Sequence, residues 1–199
     1  MTDDAAGPTP SRLPDEPELA DVFRAYPVGV RELLVYHDLV LRHPSPLSVA
    51  ERELIAAVVS GTNACAYCFG AHTIIATTFG VDEALIRAIV EDVDAAPVEV
   101  RLRELLRFVI KLTRAPSSIR ATDRQAVRSA GWSEEALYYA VVTCALFNFM
   151  NRVVEGMGVR TSPAIQARQR ERHTRADSTM INTETYQDYG RAIGLLPDS

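Results

Sequence analysis

The chain has 199 residues, 47% of them hydrophobic and 24% charged, and a formal net charge of −5. That length fits one domain with tails, and the composition can supply a globular core. The acidic balance argues against nucleic-acid binding, which calls for a basic face.

Residues 1–14 are rich in Asp, Pro and Ala and read as a flexible tail without the apolar stretch of a signal peptide. Helical spacing begins near Glu16, with Leu19, Val22 and Phe23 on one face. Pro27 fits the first turn of a second helix that runs to about His43. After the His43-Pro44-Ser45-Pro46 breaker, Ser48 and Glu51 form a capping box. The helix they start is expected to end at Gly61. Asn63 is expected to cap the next, which runs through two cysteines to Phe79 and stops at Gly80.

Asp82 opens a shorter helix to about Asp92. A longer one spans about Val98 to Arg114, before Pro116. Thr122 or Asp123 caps a short helix to Ala130, and Gly131-Trp132-Ser133 turns the chain into a helix from Glu134 to about Glu155. That helix is apolar almost all round, as buried helices are. Its longest near-apolar run, Ala136 to Met150, is shorter than the roughly 20 residues a membrane span requires. The reading is all-α and cytoplasmic, with no membrane partner. The helical domain covers 15–163, and 164–199 form a polar C-terminal extension in which Tyr186–Leu196 reads as a docking helix.

The chemistry concentrates between Glu51 and Thr78. The three cysteines are Cys65, Cys68 and Cys144, too few for a disulfide framework. Cys65 and Cys68 are three apart, which on a helix puts them on one face with Cα atoms about 5 Å apart, within reach of a disulfide. His72 lies one turn further along that face. The pair falls in the first turn of its helix, where unpaired N–H groups favour a thiolate and can lower a thiol pKa from about 8.5 to roughly 3.5–7.5. If the preceding helix packs antiparallel, Glu53 approaches His72 or Cys68, and Glu–His–Cys forms a proton relay, directly or through water.

Glu53-Leu54-Ile55-Ala56, Val59-Ser60, Asn63, Cys65-Ala66-Tyr67-Cys68 and Ala71-His72 together resemble the alkylhydroperoxidase D branch of the carboxymuconolactone decarboxylase-like family. The motif is Glu, eleven residues, Cys-x-x-Cys, three residues, His. Downstream, Asn148, Asn151-Arg152 and Gly156 resemble its peroxidase-related subgroup. The resemblance covers roughly residues 20 to 165. It implies an alkylhydroperoxidase D-like helical bundle that assembles as a homo-oligomer, a trimer or hexamer. It also implies a peroxidase in which Cys68 attacks a hydroperoxide substrate and Cys65 resolves the sulfenic acid to a disulfide. Glu53 and His72 form the relay, and a dithiol reductant such as a lipoyl-bearing protein resets the pair. No metal and no organic cofactor are needed. Some family members carry a second histidine between the cysteines, where this chain has Tyr67.

Other readings stand beside these. The family name also suggests a carboxymuconolactone-type decarboxylase, though that chemistry has no need of a cysteine pair. A non-enzymatic redox-sensing or zinc-binding stress protein is the third reading. One Cys pair with one close His falls short of the usual four zinc ligands unless Glu53 completes the set. Cys144 reads as a packing residue. Asn148 and Asn151 read as a hydrogen-bond network between helices or subunits, with Arg152 left open. Arg168, Arg170, Arg172 and Arg175 read as a solvated basic face.

Overall fold

The computed structural model describes residues 11–175 and 185–197. It is all-α: ten helices and one 3-10 turn, with no strand among the described residues. They are α1 Leu19–Ala25, α2 Val30–Leu41, α3 Val49–Thr62, α4 Ala66–Thr78, α5 Glu83–Glu91, α6 Val100–Arg114, α7 Ala121–Ser129, α8 Glu134–Gly156, α9 Pro163–Arg175 and α10 Thr185–Ala192.

Helix α3 is the axis of the fold and touches α2, α4, α5, α6 and α8. Every residue from Arg52 to Ser60 is buried. Its N-terminus carries the expected box: the Ser48 hydroxyl accepts from the Glu51 N–H at 3.2 Å, and the Glu51 carboxylate accepts from the Ser48 N–H at 2.7 Å. The buried Arg52 donates to the carbonyls of Val40 at 3.1 Å and His43 at 2.7 Å. It thus satisfies acceptors left open where α2 ends.

The expected stop at Gly61 and cap at Asn63 are corrected. Gly61 lies inside α3, and Asn63 is the C-cap of α3. Ala64 takes the left-handed backbone conformation, with φ +56°. Its N–H bonds to the Gly61 carbonyl and that of Cys65 to the Ser60 carbonyl, each at 3.0 Å. These two bonds form a Schellman closure, which normally places glycine where Ala64 stands. Gly61 serves packing instead: a Cβ there would lie 2.7 and 2.8 Å from the two Val90 methyl carbons.

Other ends shift by a few residues. Helix α1 starts from Glu18 and α2 from Gly29, two residues past Pro27. In α7 the N-cap is Arg120, and Asp123 accepts its N–H at 2.7 Å from within the first turn. Asp82 and Ser133 cap α5 and α8 as expected. Helix α8 extends past Met150 through Gly156, so its 23 residues reach the length and apolarity of a membrane span. Half of that apolar stretch is buried in the core. The basic stretch of the extension falls on α9, which packs on α4; Arg168 pairs with Glu18 at 2.6 Å and Arg170 with Glu83 at 3.5 Å. Helix α10 packs on α2.

Candidate active site

The Schellman turn delivers the chain from α3 directly into α4. Cys65 is the N-cap of α4, and Cys68 follows in its first turn. Both are free thiols, with Sγ atoms 2.8 Å apart. Cys65 is fully buried and Cys68 is 5% exposed. Val22, Val154 and Val159 pack around them, with Leu13, Leu19, Tyr67 and Met157 at the margin.

The two sulfurs share one hydrogen bond, and it splits their acidities. Cys65 donates to Cys68, so losing the Cys65 proton is disfavoured and burial adds to that; its thiol is pushed far up. Cys68 moves down: the Cys65 hydrogen bond favours its thiolate, burial opposes, and the Asn151 side chain favours it again. Cys68 is therefore the more acidic sulfur and also the more accessible one.

Helices α3 and α4 run as an antiparallel hairpin, which brings Glu53 to His72. The His72 Nδ1 stands 2.7 Å from Glu53 Oε2. On the other side, Arg42 Nη1 stands 2.6 Å from Glu53 Oε1. Burial pushes the Glu53 carboxyl up, but Arg42 and then His72 override it and bring it to about 2. An ionised carboxylate only accepts. His72 therefore carries its proton on Nδ1 and turns Nε2 away from Glu53. Phe147 meets the imidazole edge to face at 4.3 Å and fixes its plane.

The structure thus brings together two couples, Cys65 with Cys68 and Glu53 with His72. Among the described residues no hydrogen bond joins His72 to either sulfur, and the couples are linked through one turn of α4. No group of three or more His, Cys, Asp or Glu side chains stands close enough to hold a metal ion among the described residues. Both Glu53 oxygens face Arg42 and His72.

Arg42 escaped the sequence reading, as did the groups that hold it. The side chain of Arg42 is 2% exposed. The Tyr186 ring from α10 lies 5.4 Å from its guanidinium carbon, and Phe79 lies 5.9 Å away. The Tyr186 hydroxyl is buried and meets no hydrogen-bond partner of good geometry among the described residues. His37 stacks on Tyr186 at 4.9 Å and donates from Nδ1 to the Leu33 carbonyl at 2.8 Å. Burial lowers His37 to about 4, so it is neutral. Asp38 fixes α10 by accepting the backbone N–H groups of Tyr186 at 2.8 Å and Gln187 at 3.0 Å. A helix N-terminus 148 residues away in sequence thus gains its acceptor from α2. The only local hint was the aromatic content of the Tyr186–Leu196 segment.

The expected polar network is present. Asn63 bonds Asn148 and Asn151, and Asn151 bonds Ser60. Cys144 is buried against Thr113 and Asn148, its thiol raised by burial.

The model of the carboxymuconolactone decarboxylase family matches residues 29–111, a span that includes Arg42, Glu53, Cys65, Cys68 and His72. Among solved structures, an uncharacterized peroxidase-related protein from Silicibacter sp. TM1040 is similar, with TM-score 0.68 and 28% identity over 74% of this chain and 78% of the other. An alkylhydroperoxidase AhpD core, an uncharacterized peroxidase-related protein from Ralstonia eutropha JMP134, gives TM-score 0.68 and 25% identity over 75% and 78%. An Agrobacterium tumefaciens protein of unknown function, associated with antioxidant defence, gives TM-score 0.64 at 21% identity over 71% and 95%, a likeness of fold. No curated protein matches the sequence.

Proposed function

We propose that this chain, which belongs to the alkylhydroperoxidase D-like, carboxymuconolactone decarboxylase family, reduces organic hydroperoxides with its cysteine pair. The coarser conclusion is a peroxidase-related or decarboxylase-like activity. The finer one rests on a single observation: two sulfurs 2.8 Å apart, of which the more acidic is also the more exposed. A decarboxylase has no use for the second sulfur.

The steps follow from that asymmetry. The Cys68 thiolate attacks the outer oxygen of ROOH; the O–O bond breaks, Cys68 becomes a sulfenic acid, and the alkoxide leaves as ROH with one proton. His72, its Nδ1–H held by the Glu53 carboxylate, first takes the Cys68 proton at Nε2 through water and then returns it to the alkoxide. The Cys65 sulfur then attacks the Cys68 sulfur. The disulfide forms, and the hydroxyl leaves as water with the Cys65 proton. A dithiol, such as a lipoyl group on a partner protein, exchanges with the disulfide and restores both thiols as it is oxidised. Little motion is needed, because the two sulfurs are already in contact.

The same reading includes a homo-oligomer, a trimer or hexamer. Its support is an open apolar groove of about 620 Å³ between α1, the start of α2 and the end of α8, where Tyr26, Val28 and Phe149 are exposed.

The deciding experiment is hydroperoxide consumption by reduced protein, with cumene hydroperoxide and dihydrolipoamide, for wild type and Cys68→Ser in parallel. Turnover abolished by the substitution is expected. A fully reduced wild type that consumes no peroxide, or a Cys68→Ser variant that keeps pace with it, would refute the proposal.

A further inference from the structure

We propose that Arg42 is a positioning residue for the reaction: it is the buried cation that lets His72 Nε2 stand empty, and so makes His72 a base. This rests on the reading of His72 as the group that moves protons for Cys68.

Hydrogen bonds set three side chains in a row. Glu53 Oε1 accepts from Arg42 Nη1 at 2.6 Å, and Glu53 Oε2 accepts from His72 Nδ1 at 2.7 Å. Arg42 is the C-cap of α2, and its guanidinium is held from several sides. Nη1 carries two hydrogens, and the one not given to Glu53 goes to the Leu41 carbonyl at 3.1 Å. The Tyr186 and Phe79 rings lie against the guanidinium carbon at 5.4 and 5.9 Å. The side chains of Arg42 and Glu53 are 2% and 0% exposed, and that of His72 is 10% exposed. Protons therefore enter and leave the row at His72.

The other charged and titratable groups around the row keep their state. Arg52, on the same helix as Glu53, donates to the carbonyls of Ser48, Val40 and His43. Asp38, on α2, accepts the N–H groups of Tyr186 and Gln187 and the Gln187 amide. Burial keeps His37 neutral, and it keeps the Tyr186 phenol neutral. From α8 the row meets the Phe147 ring. The buried ions are thus two cations, Arg42 and Arg52, and two carboxylates, Asp38 and Glu53. They balance when His72 Nε2 is empty.

Without Arg42 the balance moves by one proton. An empty Nε2 then leaves an uncompensated negative charge in the core, which is costly, and a protonated one leaves none. The Glu53–His72 couple therefore keeps the proton. With Glu53 ionised, His72 is an imidazolium. With the Nδ1 proton passed to Glu53, Nδ1 accepts and Nε2 still carries its hydrogen. Neither form has a lone pair at Nε2 for the Cys68 proton. Arg42 touches no reacting atom; it acts through Glu53, by its charge.

The test is a pH titration of the full chain, labelled with 15N-histidine and followed by long-range 1H–15N NMR, with His72→Gln identifying the His72 signals. Arg42→Gln, which deletes the charge, is expected to move the pH at which Nε2 empties up by about 1–3 units. Arg42→Lys, which keeps the charge, should stay within about half a unit of wild type. A merely structural role would move both variants together. An unmoved midpoint in folded Arg42→Gln, or equal shifts in the two variants, overturns the assignment. If Arg42→Gln loses the near-UV circular dichroism of the folded protein, Arg42→Met carries the test, with every titration run in concentrated sucrose, which favours the compact state. The acid limb of hydroperoxide turnover should move with the NMR midpoint. The titration itself uses neither peroxide nor a dithiol. A shifted midpoint in a protein without turnover would therefore refute the peroxidase reading and keep the Arg42 assignment; turnover with an unmoved midpoint would do the reverse.

Discussion

Replacing Arg42 with methionine keeps a long flexible side chain but strips Glu53 of its cation. The Arg42 side chain is 2% exposed and that of Glu53 is fully buried, so neither charge is compensated by water. Removing one partner of such a pair costs about 3–5 kcal/mol. The acidity of Glu53 gives an independent figure. Its folded pKa of about 2 lies below the ordinary 4.5. At 1.36 kcal/mol per unit, that is about 3 kcal/mol of stability at neutral pH.

Because the folded value is depressed, this stability is complete above pH 4.5 and is lost as pH falls toward 2. By pH 3 about 2 kcal/mol of it has gone. In Arg42→Met burial dominates and raises the Glu53 pKa, so protonation favours the folded variant. The stability gap between wild type and variant should therefore be about 3–5 kcal/mol at pH 7 and much smaller at pH 3. Urea unfolding at both pH values, at one protein concentration, measures it, and the other carboxylates largely cancel in the difference. A variant as stable as wild type at pH 7, or a gap that does not narrow in acid, would refute the argument that the charge of Glu53 is held by Arg42.

Tyr186→Ala should destabilise the protein by about 3–5 kcal/mol in urea unfolding, as other buried aromatic truncations do. Tyr186→Phe should stay within about 1 kcal/mol of wild type, because the hydroxyl it deletes meets no hydrogen-bond partner of good geometry among the described residues; a larger loss would give the hydroxyl a role. Gly61→Ala forces a methyl against both Val90 methyl carbons and should cost about 1–3 kcal/mol. Adding Val90→Ala should recover part of that loss in a double-mutant cycle, and purely additive costs would show that the contact is not the cause.

The two side-chain couples were readable from spacing because they are local. Cys65 caps α4, Cys68 and His72 follow one turn apart on it, and Glu53 meets His72 across one short turn. The turn itself was misread for a physical reason. Sequence signals assume that glycine takes the left-handed position of a closing turn, and here Ala64 takes it while Gly61 makes room for Val90. Arg42 was hidden because nothing in the His43-Pro44-Ser45-Pro46 surroundings announces a buried cation; its partners arrive from α3 and α10. The Asn148–Asn151 network was legible as helical spacing.

The position of Tyr186 in α10, far along the chain from Arg42, sets an order of events during synthesis. Chains emerge from the N-terminus at about 5–20 residues per second, so Arg42, Glu53, both cysteines and His72 are all made well before the side chain that seals Arg42 from water. A nascent chain, or one clipped before α10, holds its charge pair under an unfinished roof. Asp38 waits with it, since the two backbone N–H groups it accepts belong to the same late helix. A product that stops before α10 therefore contains every residue of the motif and still lacks the Tyr186 ring over Arg42.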